Sequence, residues 1–99
     1  MLDDALRLLD AIAKRPDMYV HPVEPGTIET YLRGFNAGSA LSGLRVSPAV
    51  YERAASSRGW TLRDDSAIGD MRDSGLDDAG VIRELISIQS DALKLEAGR

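Results

Sequence analysis

The chain has 99 residues, 43% of them hydrophobic, with a formal net charge of −4 and no cysteine. That is enough for one domain with a modest core, and short of the mass usual for an enzyme with its own cofactor fold. Without cysteine, and with His21 as the lone histidine, a disulfide frame and a structural zinc site are excluded.

One Trp, one Phe and three Tyr leave a core built mainly from Leu, Ile, Val and Ala, which suits packed helices better than a sheet sandwich. The first helix is written in Leu2, Ala5, Leu6, Leu9, Ile12 and Ala13, which fall on one face at three-and-four spacing. Asp3 and Asp4 at its start and Lys14 and Arg15 at its end match the helix dipole. Pro16 lacks the amide that a helix interior needs and disfavours helical backbone at Arg15, so this helix stops near Lys14. Arg15 and Asp17 then flank a bend, and Met18, Tyr19 and Val20 form an apolar run expected to tuck under the helices.

The segment His21-Pro22-Val23-Glu24-Pro25-Gly26 reads as a loop, with Thr27 as the cap of a second helix. Ile28, Tyr31, Leu32 and Phe35 form that helix's core stripe, and Gly34, Gly38 and Ser42 form a ridge of small residues beside it, with Gly43 as the stop. A glycine inside a helix costs ~1 kcal/mol relative to alanine, so Gly34 and Gly38 imply close approach of another backbone. That backbone is either a neighbouring helix of the same chain or a second copy in a homodimer.

Ser47-Pro48 is a start signal for a third helix with Val50, Tyr51, Ala54 and Ala55 on its apolar side, closed by Gly59. Trp60 and Leu62 dock an extended connection onto the core. Ser66 starts a short fourth helix with Ala67, Ile68 and Met71, closed by Ser74-Gly75. Asp77 caps the last helix, whose apolar residues from Val81 to Leu95 cover about half of its circumference, wider than a ~100° surface stripe, so it is central. Gln89 lies within that arc and its amide needs a partner. The chain is expected to be all-α, a single domain over 1–99 of four to five helices packed as an irregular bundle.

The acidity is local. Residues 64–99 carry a net charge of −5, while residues 1–63 carry +1. Asp64, Asp65, Asp70, Asp73, Asp77 and Asp78 read against Arg72 alone among nearby bases. This run is either a solvated face or a patch that docks a basic protein, with Asp64, Asp65, Asp70, Met71 and Asp73 as the contact residues. Dispersed bases give no footprint for a nucleic acid.

No catalytic residue is assigned: His21 lies in a loop with no serine or cysteine motif to activate. The pairs Asp64-Asp65 and Asp77-Asp78 lack the ligand alternation of a calcium loop, and Gly34-Phe35-Asn36-Ala37-Gly38 lies in a helix whose amides are already used, so neither metal nor cofactor is expected. No stretch nears the ~20 apolar residues of a membrane span, and the start lacks the basic-then-apolar order of a leader, so a cytoplasmic, soluble protein is expected.

The run Leu9-Asp10-Ala11-Ile12-Ala13-Lys14-Arg15-Pro16-Asp17-Met18-Tyr19-Val20 resembles the segment at the start of the type II topoisomerase ATPase domain. Asp17 and His21 stand where that segment has glycines, and the later aspartate-x-glycine-x-glycine loop of that family has no counterpart, so the resemblance does not imply ATP binding. A second resemblance spans more of the chain. Arg15-Pro16-Asp17-Met18-Tyr19, Tyr31-Leu32-Arg33-Gly34-Phe35, Arg58-Gly59-Trp60, Met71-Arg72-Asp73-Ser74-Gly75-Leu76 and Arg83-Glu84-Leu85-Ile86 are similar to segments of a group of small bacterial proteins. Some of these resemble the immunity proteins encoded beside contact-dependent toxins. The resemblance makes Arg15, Asp17 and Tyr19 motif residues and implies a small domain that recurs as a unit, with its chemistry left open; the acidic surface and the missing catalytic group make a non-enzymatic module that binds a basic protein the expectation.

Overall fold

In the computed structural model, residues 2–39 and 46–98 are described, and they form five α-helices: α1 Leu2–Lys14, α2 Pro25–Ser39, α3 Pro48–Ser57, α4 Ile68–Asp73 and α5 Asp78–Ala97. A 3-10 turn, Pro16–Met18, follows α1. The domain is therefore all-α, as expected.

The core is organised by α5. Each of the other four helices packs on it. Val81, Leu85, Ile88, Ala92 and Leu93 of α5 are fully buried, and they meet Leu9 and Ile12 of α1, Ile28 of α2, Ala54 and Ala55 of α3 and Met71 of α4. A helix flanked on several sides must be apolar over a wide arc, which is the pattern of this sequence. Gln89 is also fully buried. Its amide and that of Asn36 on α2 pair reciprocally, with Gln89 Nε2 donating to Asn36 Oδ1 at 2.6 Å and Asn36 Nδ2 to Gln89 Oε1 at 3.3 Å.

Local chemistry sets the helix ends. Ser47 Oγ accepts from the Val50 amide at 3.2 Å, and Asp77 Oδ1 accepts from the Gly80 amide at 2.8 Å. After α3, Gly59 takes φ +89°, and after α4, Gly75 takes φ +92°, left-handed positions that glycine occupies without a Cβ penalty. The start of α2 corrects the sequence reading. Pro25 and Gly26 belong to the helix, and Thr27 sits within its first turn rather than at its cap. Proline suits the first helical position, and Thr27 Oγ1 acts backwards, accepting from the Glu24 amide at 3.2 Å and donating to the Pro22 carbonyl at 2.6 Å.

Two further expectations are corrected. Met18 is 67% and Tyr19 36% exposed, so this pair does not tuck under the helices. The amides of Tyr19 and Val20 both bond the Pro16 carbonyl, and this tight curl brings only Val20 against the core. Gly34 and Gly38 are exposed on α2, and apart from the adjoining residues and backbone of α2 itself no atom of the described residues lies within 4 Å of where a Cβ would stand on either, so no helix of the described chain crosses there. Ser42 and Gly43, the rest of the expected ridge and its stop, lie outside the described residues.

Trp60 and Arg58 tie the end of α3 to α5. The Trp60 indole donates to Glu84 Oε1 at 2.8 Å, while Arg58 Nε and Nη2 donate to the two oxygens of Glu84 at 3.1 and 3.0 Å and Nη1 reaches Asp91 at 3.3 Å. The Arg58 fork, then the Trp60 indole, hold the Glu84 carboxyl below its ordinary value of 4.5 despite partial burial. A carboxyl depressed in the folded state adds stability that is whole above its unfolded pKa and is lost as pH falls through the folded one. The urea midpoint should therefore hold steady from neutral pH down to about 5 and drop below it. Glu84→Gln should shrink the part of that drop due to this site, and an unchanged acid limb would remove Glu84 from the account.

Candidate functional site

α2 and α3 both lie on α5, and a cleft of about 560 Å³ separates them. Its apolar lining comes from Leu32 and Ala37 of α2, Val46 and Pro48 at the entry to α3, and Leu62 of the following connection. Glu29, Arg33, Tyr51, Glu52 and Asp65 supply the charged and hydroxyl groups. Glu29 is the organised one. Its side chain is only 17% exposed, one oxygen accepts from Ser66 Oγ at 2.6 Å, and the other takes a single long contact of 3.4 Å from Arg33 Nη2. Burial, and then the charge of Glu29, push the Tyr51 hydroxyl up to about 12, so it stays protonated throughout the working range.

One wall of the cleft is a two-residue turn. Arg63 and Ser66 exchange both backbone hydrogen bonds, at 2.8 and 3.0 Å, around Asp64 and Asp65, whose φ values are 52° and 65°. Two successive left-handed residues make a tight turn that usually takes Asn-Gly or Asp-Gly. Asp-Asp carries strain there. Asp64→Asn with Asp65→Gly should raise the unfolding free energy by about 1 kcal/mol, read from the urea midpoint, and an unchanged midpoint would show the turn to be unstrained.

The acidic run is brought together on this turn and α4, but its charges are not equivalent. Asp70 accepts from the Thr61 amide at 2.9 Å and lies 3.5 Å from Arg63, which also reaches Asp73 at 2.8 Å. Arg72 pairs with Asp78 at 2.9 Å, and Asp77 is spent on its cap. Arg63, just outside the run, therefore supplies a countercharge that the reading of Arg72 alone missed. Asp64 and Asp65 remain exposed, and Asp65 also lines the cleft. Met71 is corrected outright: it is fully buried in the core, because α4 turns its apolar side onto α5. It offers no surface to a partner.

The other candidate residues lie apart from the cleft. Arg15 and Asp17 form an exposed ion pair at 3.5 Å, of the kind that contributes little to stability. The Tyr19 ring meets that of Tyr31 edge-on at 6.5 Å between centroids. His21 is exposed and lines neither this cleft nor the smaller one of about 340 Å³ bordered by α1 and α5. Among the described residues no three histidine or carboxylate groups gather as a metal site, and no helix is long and apolar enough to cross a membrane.

Glu29, Asn36 and Tyr51 were not singled out as site residues from sequence. Glu29 and Tyr51 are 22 positions apart on different helices, and only the packing of both helices on α5 makes them neighbours. Comparison with family models, with curated proteins and with solved structures finds no match.

Proposed function

We propose that the protein is a non-enzymatic binding module that docks a basic protein partner at the acidic turn of residues 64–66 and the cleft beside it. The carrying observation is an apolar cleft whose charged lining, among the described residues, is mostly carboxylate, with Asp65 shared between the two features. Such a surface steers a cationic partner by its field and holds it by apolar burial. The exposure of His21 away from both clefts supports a binding role over a catalytic one. The similarity of the Arg15–Tyr19 opening to small bacterial proteins, some of them like immunity proteins, favours a toxin as the partner and the bacterial cytoplasm as the place of action.

The test follows from the pairing of the acids. Asp70 and Asp73 anchor Arg63, so reversing them would disturb the turn itself. Asp64→Asn with Asp65→Asn instead removes two charges while keeping a residue type that tolerates left-handed backbone. Affinity capture from the host should lose its basic partner with this variant, with the circular dichroism of the wild type retained. Undiminished capture of the same partner would remove the acidic turn from the reading.

A second reading is favoured by the outer face of α2. Gly34 and Gly38 stand open on the same helix as the half-buried Tyr31 and Phe35, and the Tyr31 ring meets that of the exposed Tyr19. A second copy of the chain packing there would give a homodimeric scaffold. Sedimentation distinguishes the two readings: Gly38→Leu should convert dimer to monomer if this face is the interface and should leave the sedimentation coefficient unchanged if it is not.

A further inference from the structure

We infer that the cleft between α2 and α3 receives a short segment of the partner in which an apolar side chain is followed by an arginine or lysine, the apolar group lying on Pro48 and Leu62 and the cation pairing with Glu29. This rests on the protein-binding reading and names the chemistry of what is bound.

Three observations carry it. Among the described residues the lining holds the carboxylates of Glu29, Glu52 and Asp65 against the guanidinium of Arg33, a net of −2, which repels an anionic ligand and attracts a cationic one. Glu29 is well sheltered, so an ion pair made there is less screened than one on open surface. Finally, its two oxygens are held unequally. Ser66 fixes one at 2.6 Å, which orients the carboxylate, whereas among the described residues the other has only the 3.4 Å contact from an Arg33 side chain that is 61% exposed. An incoming guanidinium or ammonium can take that oxygen while Arg33 swings into water, and the orientation set by Ser66 is kept. The hydroxyl of Tyr51, held protonated, lines the same cleft and adds a neutral donor and acceptor. A cleft of about 560 Å³ suits a few side chains of one segment, within the ~300–1,000 Å³ usual for sites that enclose their ligand.

The test uses the full chain labelled with ¹⁵N and three capped hexapeptides: alanine-leucine-leucine-arginine-lysine-alanine, the same peptide with glycine for both leucines, and the same peptide with glutamate for both bases. The first should move the amide signals of Ala37, Val46 and Leu62 saturably and bind at least about tenfold more tightly than either control. Glu29→Gln, which keeps an oxygen for Ser66, should weaken the first peptide about tenfold and leave the acidic control unchanged. Ala37→Trp, at an exposed position on the cleft wall, should abolish the shifts. Equal binding of the glycine control, or shifts confined to Asp64 and Asp65, would overturn the inference, as would no saturable shift at all. If the native partner is lost with the Asp64/Asp65 variant yet captured by Ala37→Trp, the protein-binding reading stands and the cleft inference falls. If Ala37→Trp instead splits a dimer in sedimentation, the occupant is a second copy and the inference falls.

Discussion

Met71→Ala is expected to lower the unfolding free energy by about 2–5 kcal/mol, the range for truncating a buried aliphatic side chain when the cavity closes only in part. Met71 is fully buried and belongs to the same core cluster as Leu85, Ile88 and Leu93. α4 spans only Ile68–Asp73, and of its side chains Met71 alone is buried, so little else holds this helix on α5. The loss should therefore appear as both a reduced urea midpoint and a local rise in amide exchange over 63–76, because the Asp70 bonds to Thr61 and Arg63 depend on α4 staying docked. Met71→Leu, nearly equal in volume, should cost less than about 1.5 kcal/mol. A Met71→Ala variant as stable as wild type would show that the residue faces water after all, and would restore it as a candidate contact for a partner.

The same residue marks where sequence stops being informative. The pattern from Val81 to Leu95 announces a central helix because an apolar arc that wide has no other use, and the structure wraps four helices around it. Caps are legible for a similar reason: Ser47 and Asp77 each satisfy an amide three residues away, so the interaction is contained within the local sequence. The acidic surface is not contained in that way. Counting charges along the chain leaves six acids facing one base, whereas the turn at Asp64 and Asp65 folds Arg63 back over α4 onto two of them. Nothing in the periodicity announces that turn, since Asp-Asp is a poor choice for it. The glycines of α2 fail for the opposite reason: an open helix position and a crowded one both read as glycine, and at Gly34 and Gly38 the space is open. The cleft was illegible because its walls are set by how α2 and α3 each seat on α5, which depends on side-chain volumes far away in sequence.

Asn36→Leu should cost about 1–3 kcal/mol, because it strands the amide of Gln89 where water does not reach. Gln89 is fully buried, and Asn36 is its partner through both an accepted and a donated bond. Gln89→Leu alone should cost less, since Asn36 is only half-buried and faces the cleft, where its freed amide can be hydrated. Changing both to leucine removes the stranded group and adds apolar burial, so the double variant should recover most of what Asn36→Leu loses. The coupling between the two sites, taken from a double-mutant cycle of urea midpoints, is expected at about 1–2 kcal/mol in favour of the paired amides. Additive losses would mean that the two side chains stabilise the domain separately. A double variant as stable as wild type, but with altered shifts on peptide titration, would mean that the pair is kept for the shape of the cleft wall, because Asn36 is the point at which the buried core and the proposed binding surface share a residue.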